Sequence, residues 1–255
     1  MYPYLHELFA DRKGGTVFAC FGIWHFLYMA VIFGSILLAV LLRNKDEKVR
    51  KKAIKGALYS AFWLYIADFF FMPLAYGYID IEKLPFHMCT LMCLLSYLSY
   101  RGLLFKKYRK QFALLGLVSN LIYVIYPAGV GWYQIHPLSY RVVQTLLFHG
   151  AMTAYGILTL ALGDDKLTFK SSLQELPVIA VVTLWAILGN TLYNGAAGEY
   201  DHFFNWFFVV RDPFYILPAD VAPYMMPFVM ILVIYAADLL IYSAYFVIKN
   251  AAVRK

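Results

Sequence analysis

A 255-residue chain that is 62% hydrophobic and 15% charged is not a soluble globular domain, which is nearer half apolar and a quarter charged. Its mean hydropathy of +0.64 points to an integral membrane protein, read here as one domain over residues 1–255. The net charge of +7 does not indicate a nucleic-acid partner, because the basic residues flank apolar runs instead of forming one solvated stripe.

The first fourteen residues carry Pro3, His6, Glu7 and Asp11 and lack the basic start of a cleavable signal, so the first apolar run is expected to be retained. A membrane helix needs about 20 mainly apolar residues. Seven runs meet that length or approach it: about Thr16–Leu42, Ala53–Tyr76, Pro85–Leu104, Phe112–Tyr126, His136–Leu162, Leu176–Leu192 and Pro223–Ile248. The expected fold is all-α and polytopic, with seven transmembrane helices.

Lysine and arginine set the orientation. Seventeen of them lie in alternate connections and the C-terminal tail, with the densest group from Arg43 to Lys55; the opposite side holds only Arg12, Lys13, Lys83, Arg141 and Arg211. This split predicts an outer N-terminus and a cytoplasmic C-terminus. The longest outer connection, Tyr193 to Tyr224, is crowded with aromatic residues. It reads either as an interfacial aromatic belt or as a lid over a cavity, since non-helical backbone is tolerated at depth only where protein or water covers it.

At about 1.5 Å per residue, the polar residues fall mostly in the outer half of the membrane. His25 lies about 13 Å from the outer end of its run, Asn120 about 10 Å, Asp68 about 12 Å, Cys89 about 6 Å and Cys93 about 12 Å. His149 is nearer mid-bilayer, and Asn190 and Asn194 lie at the outer end of the sixth run. Polar side chains in hydrocarbon face the protein interior, so the pattern predicts a pocket between helices, open outward or to the outer leaflet. Asp238 lies toward the cytoplasm and is expected to pair with a tyrosine or a backbone group.

The stretch Leu84-Pro85-Phe86-His87-Met88-Cys89 concentrates reactive groups. Pro85 suits the first turn of a helix, and a helix start favours a thiolate, modestly once the first turn is passed. On a regular helix from Pro85, His87 and Cys89 point to nearly opposite sides, so a base for Cys89 would come from another helix, from His149 or His25. If the helix starts only at Cys89, His87 could share its side. Three cysteines are too few for a disulfide framework, and Cys89 and Cys93 lack the Cys-x-x-Cys spacing of a redox motif. His25, His87, Cys89 and His149 are metal-ligating in type, but no spacing supports a metal site. No metal and no cofactor are expected.

Leu84-Pro85-Phe86-His87-Met88-Cys89 resembles the Leu-Pro-apolar-His-apolar-Cys signature of the YwaF-type bacterial seven-helix membrane proteins, related to an animal transmembrane lipid acyltransferase. The resemblance extends to Trp24-His25-Phe26, Ser119-Asn120, Phe148-His149-Gly150 and Gly189-Asn190, over about residues 20–210. It implies a bacterial plasma-membrane protein performing cysteine-dependent acyl transfer between phospholipids, with Cys89 as nucleophile and His149 as the matching histidine. His25, His87, Asn120, Asn190 and Asn194 are the candidates for binding substrate or an oxyanion. The chain departs from the bacterial pattern at the outer rim, with Asn194-Gly195 in place of a Lys-Pro and Ala222-Pro223-Tyr224 in place of a Trp-rich stretch. Membrane lipids are the expected partners. The alternative is a binding or transport protein that uses the outward polar pocket for a small solute.

Overall fold

The computed structural model describes residues 15–131, 134–163, 167–195 and 203–253. Among these every regular element is helical. A chain this apolar satisfies its backbone polar groups within each segment, which a helix does without a neighbour. The helices longer than ten residues are α1 (Ile23–Leu42), α2 (Glu47–Tyr76), α3 (Met88–Tyr100), α4 (Arg109–Ile125), α5 (Tyr140–Leu162), α6 (Leu176–Gly195) and α7 (Ala222–Val253).

Among the described residues, six segments are long and apolar enough to cross a membrane: 23–42, 47–74, 106–131, 140–162, 169–194 and 222–248. The run at 85–104 forms only the 13 residues of α3. Such a helix is about 20 Å long, against a hydrocarbon core of about 30 Å. Both of its ends are fixed by local chemistry. The first helical bond runs from the Leu91 N–H to the His87 carbonyl at 3.0 Å, so residues 84–87 precede the helix. At the other end Gly102 takes a left-handed conformation with φ of 72°. Its N–H reaches the Ser99 carbonyl at 3.1 Å while the Leu103 N–H reaches Leu98 at 2.9 Å. This is a Schellman stop, which glycine adopts without steric cost. The second run starts earlier than its apolar residues suggest. Glu47 to Lys52 are already helical, with Lys51 paired to Glu47 one turn back.

Two compact units are formed, residues 1–83 with 92–164 and residues 84–91 with 165–255. In the first unit α1, α2 and α4 all pack on α5. Glycines allow the closest approaches, as small residues do between membrane helices. A Cβ at Gly156 would stand 2.4 Å from the Leu117 Cβ, one at Gly116 2.9 Å from the Met152 Cε, and one at Gly150 3.1 Å from the Val31 Cγ1. Gly156→Ala therefore drives a carbon into the α4–α5 contact. The expected cost is about 1–3 kcal/mol, read as a lowered unfolding temperature in detergent.

Asp68, buried in α2, is answered within the same unit. The Tyr140 hydroxyl donates to its Oδ1 at 2.9 Å, and the Lys83 ammonium lies 3.3 Å from its Oδ2. A charge taken out of water needs such partners.

In the second unit α6 packs on α7, and the turn at 169–172 packs on α7 as well. Thr168 and Ser171 cap that turn reciprocally. The buried Tyr242 hydroxyl donates to Glu175 Oε1 at 2.7 Å. Asp238, expected to pair with a tyrosine or a backbone group, is fully buried on α7 one turn before Tyr242. The nearby tyrosine serves the glutamate.

Candidate functional site

Cys89 is the second residue of α3 and is half-buried. The helix starts three residues beyond Pro85, so Cys89 lies inside the first turn. The N–H groups of Met88, Cys89 and Thr90 precede the first intrahelical bond and project their positive ends from the helix start. Negative charge developing on the sulfur, or on a carbonyl oxygen under attack, would face that end of the helix dipole.

The lead-in to α3 is held by its own unit. Phe86 is wedged among Trp206, Trp185 and Tyr193, with ring centroids 4.9, 5.2 and 6.0 Å away. Its ring also lies on Gly189, where a Cβ would stand 2.4 Å from Phe86 Cδ1, so only glycine fits there. The Trp185 indole donates to the Pro85 carbonyl at 2.8 Å. His87 accepts the Phe207 N–H at Nδ1, 3.2 Å away. A neutral ring accepting at Nδ1 carries its proton on Nε2, so His87 offers an Nε2–H donor.

Asn190 and Asn194, one turn apart on α6, clasp residues 204–206 of the connection between α6 and α7. Asn190 accepts the Trp206 N–H at 2.9 Å and donates to the Trp206 carbonyl at 3.0 Å. Asn194 does the same to Phe204, with both bonds at 2.8 Å. One helical turn and two extended residues span nearly the same distance, about 6 Å, so the two amides act as a short strand beside residues 204–206. Asn190 also donates to the Ala186 carbonyl at 2.8 Å. Beside the clasp lies a hollow of about 330 Å³ lined by Asn190, Thr191, Asn194, Phe203 and Val210.

His149 sits buried on α5 in the first unit. Its Nδ1 lies 2.7 Å from Asn120 Oδ1. The Asn120 amide nitrogen is already committed to the Gly116 carbonyl, 2.7 Å away. That fixes the amide orientation and makes Oδ1 an acceptor. His149 therefore carries its proton on Nδ1 and presents Nε2 as the accepting nitrogen. The Tyr123 ring stacks on the imidazole with centroids 3.9 Å apart and planes 17° apart.

His25 is fully buried and clamps backbone. It accepts the Phe21 N–H at Nδ1 and contacts the Val124 carbonyl through Nε2, both at 2.8 Å. Accepting at Nδ1 requires the Nε2–H tautomer. The clamp ties the start of α1 to the C-terminal end of α4 and holds Phe21 at a φ of 61°.

The motifs that carry these contacts lie between His25 and Trp206, and a family model described as the TMEM164 family matches residues 20–247. The chain belongs to the TMEM164 family. No curated protein and no solved structure matches it. Family and long apolar helices together make this TMEM164 protein a multi-pass membrane protein, in contact with lipid.

The sequence candidates of the TMEM164 chain thus separate by partner. His25, Asn190 and Asn194 hold backbone; Asn120 orients His149; His87 offers a donor in the unit that contains Cys89. None of the three cysteines forms a disulfide, and among the described residues no three His, Cys, Asp or Glu side chains gather as a metal site. Sequence reasoning missed Tyr123, although its place three residues after Asn120 puts both on one helix face. It also missed the aromatic cage of Phe86, whose members come from separate segments and carry no spacing signal.

The connection between α6 and α7 of the TMEM164 chain includes a second fixed turn. Asp212 accepts the N–H groups of Phe214, Ile216 and Leu217 at 2.8, 2.7 and 2.9 Å. These bonds hold its carboxyl below the usual carboxylate range. A lowered folded value adds stability that is complete above the unfolded value, about 3.9, and is lost as pH falls through the folded one. The expected result is a turn that stays ordered at neutral and mildly acid pH and loosens only in stronger acid. Amide exchange protection at Phe214, Ile216 and Leu217 checks this, with Asp212→Asn lowering the protection already at neutral pH.

Proposed function

We propose that this TMEM164 family member is a membrane-embedded acyltransferase acting on phospholipid acyl esters in a bacterial plasma membrane. The proposed topology has seven crossings, with the short α3 and its lead-in as the third, an outer N-terminus and a cytoplasmic C-terminus. The lysine and arginine split supports that orientation. The resemblance of the Leu84–Cys89 signature to the YwaF-type proteins supports the reaction class.

In the proposed reaction His149 Nε2 takes the proton from the Cys89 thiol. The sulfur forms a bond to the ester carbonyl carbon, and the bond from that carbon to the lysolipid oxygen breaks. The departing oxygen receives the proton from His149. A thioester then remains, and a second lipid hydroxyl reverses the sequence to accept the acyl chain. Covalent catalysis of this kind splits one difficult step into two easier ones. The helix-start N–H groups of α3 and the His87 Nε2–H are the proposed oxyanion donors. Asn120 orients the base, whereas His25, Asn190 and Asn194 are proposed to keep the surrounding backbone in place. No cofactor is required.

The observation that carries this reading is the hydrogen bond between Asn120 and His149. A general base needs its accepting nitrogen fixed by a partner on the other nitrogen.

The test is acyl transfer in liposomes containing a phospholipid donor and an isotope-labelled lysophospholipid, followed by lipid mass spectrometry. Wild type is expected to acylate the labelled lysolipid, and Cys89→Ser to lose the activity. Transfer by Cys89→Ser at the wild-type rate would overturn the reading and favour the solute-binding alternative.

A further inference from the structure

Asn120 and Tyr123 lie three residues apart on α4, so they address a neighbour from one face. Both address His149. Asn120 holds the edge of the imidazole through Nδ1 at 2.7 Å. Tyr123 covers its plane at 3.9 Å between centroids. A stack only 17° from parallel places the negative face of the phenol ring against the imidazole ring. Two contacts at right angles leave the imidazole neither tilt nor rotation. The resemblance that marked His149 and Asn120 carried no signal for Tyr123.

We propose that Tyr123 is a positioning residue for His149: its ring fixes the imidazole plane and faces the positive charge that the imidazole carries while a proton passes through it. This rests on His149 acting as the base in the reaction above. The thiol proton moves to Nε2, the sulfur–carbon bond forms, the carbon–oxygen bond to the lysolipid breaks, and the proton leaves with that oxygen. Between the first and last of these events the imidazole is a cation, and an aromatic face opposite a cation lowers its energy. Tyr123 touches no reacting atom in this sequence. It acts through His149 alone.

The surroundings of Tyr123 supply a second lever. A Cβ at Gly129 would lie 3.3 Å from the Tyr123 hydroxyl oxygen, tighter than ordinary contact. Gly129→Ala therefore presses on the far end of the ring without altering its chemistry.

The experiment is single-turnover acylation of Cys89 by a short-chain phosphatidylcholine in detergent, followed by intact mass, across a range of lipid concentrations. Tyr123→Phe keeps the ring face and is expected to acylate within about twofold of wild type. Tyr123→Leu keeps bulk and loses the face. It is expected to slow acylation about five- to thirtyfold at saturating lipid, with the half-saturating concentration unchanged. A packing role alone would also be rescued by phenylalanine, so the split between these two parameters is what separates the roles. Should Tyr123→Leu fail to fold, Gly129→Ala carries the test, with a smaller slowing at saturation, about two- to fivefold, because it shifts the ring and leaves its face in place. The proposal is overturned if Tyr123→Leu, or Gly129→Ala in its place, acylates at the wild-type rate. It is also overturned if Tyr123→Phe loses as much as Tyr123→Leu, or if only the half-saturating concentration changes. Absence of an adduct on wild type would instead overturn the acyltransfer reading, and this proposal with it.

Discussion

Asn120→Leu is expected to slow acyl-adduct formation at Cys89 by about 100-fold while the protein stays folded. General-base catalysis contributes about 10²–10⁴, and a base without its orienting partner forfeits part of that. In the wild type, Asn120 Oδ1 accepts from His149 Nδ1 because the amide nitrogen is held by the Gly116 carbonyl. Leucine matches asparagine in size but offers no acceptor. The imidazole then has no reason to keep its proton on Nδ1. The stability cost is about 1–3 kcal/mol, since His149 loses a buried partner. Asn120→Asp keeps an acceptor toward Nδ1 and loses the donor to the Gly116 carbonyl and the Ser119 hydroxyl. It is expected to retain more activity than Asn120→Leu. Adduct formation followed by mass, with unfolding temperature measured beside it, separates the catalytic loss from the structural one.

The second large effect is structural. Asn190→Leu strips the Trp206 N–H and carbonyl of their side-chain partner at once. Asn190 and Trp206 are both almost fully buried, so water does not replace the lost bonds. At about 1–3 kcal/mol for each orphaned group, the expected destabilisation is about 2–5 kcal/mol. Asn194→Leu removes the matching pair at Phe204, but Asn194 is half-buried and its loss costs less. Thr191→Val is a suitable control, because the Thr191 hydroxyl bonds only its own helix at the Ile187 carbonyl and is exposed. Limited proteolysis of the connection between α6 and α7 and unfolding in detergent give the readouts. A clasp role predicts that proteolysis follows the order Asn190, Asn194, Thr191.

Residue type and helix position made much of this site legible, and the partners did not. The apolar runs located every long helix, because membrane burial imposes one polarity pattern along each. They overestimated α3, since its length is set by a proline before it and a left-handed glycine after it, both inside the apolar run. Asn120 and His149 stood out as amide and imidazole at depth. That they meet depends on α4 and α5 packing closely through Gly116 and Gly156, which no local pattern encodes. Asn190 and Asn194 were legible as polar residues on one face, yet were assigned to substrate. Their spacing of four was the missed signal, because it matches alternate residues of an extended chain. His25 was read in the same way, and its bond to the Val124 carbonyl joins residues 99 apart in sequence. Asp238 was legible as a buried polar residue, but the tyrosine one turn further along its helix, Tyr242, donates to Glu175 from another segment.

The central claim is a thioester on Cys89, and the direct measurement is intact mass of purified protein after incubation with phospholipid at neutral pH, with and without hydroxylamine. The account predicts a hydroxylamine-sensitive gain of one fatty-acyl mass on wild type and none on Cys89→Ala. Wild type that stays unmodified, with Cys89 also inert toward an alkylating lipid probe, would contradict it.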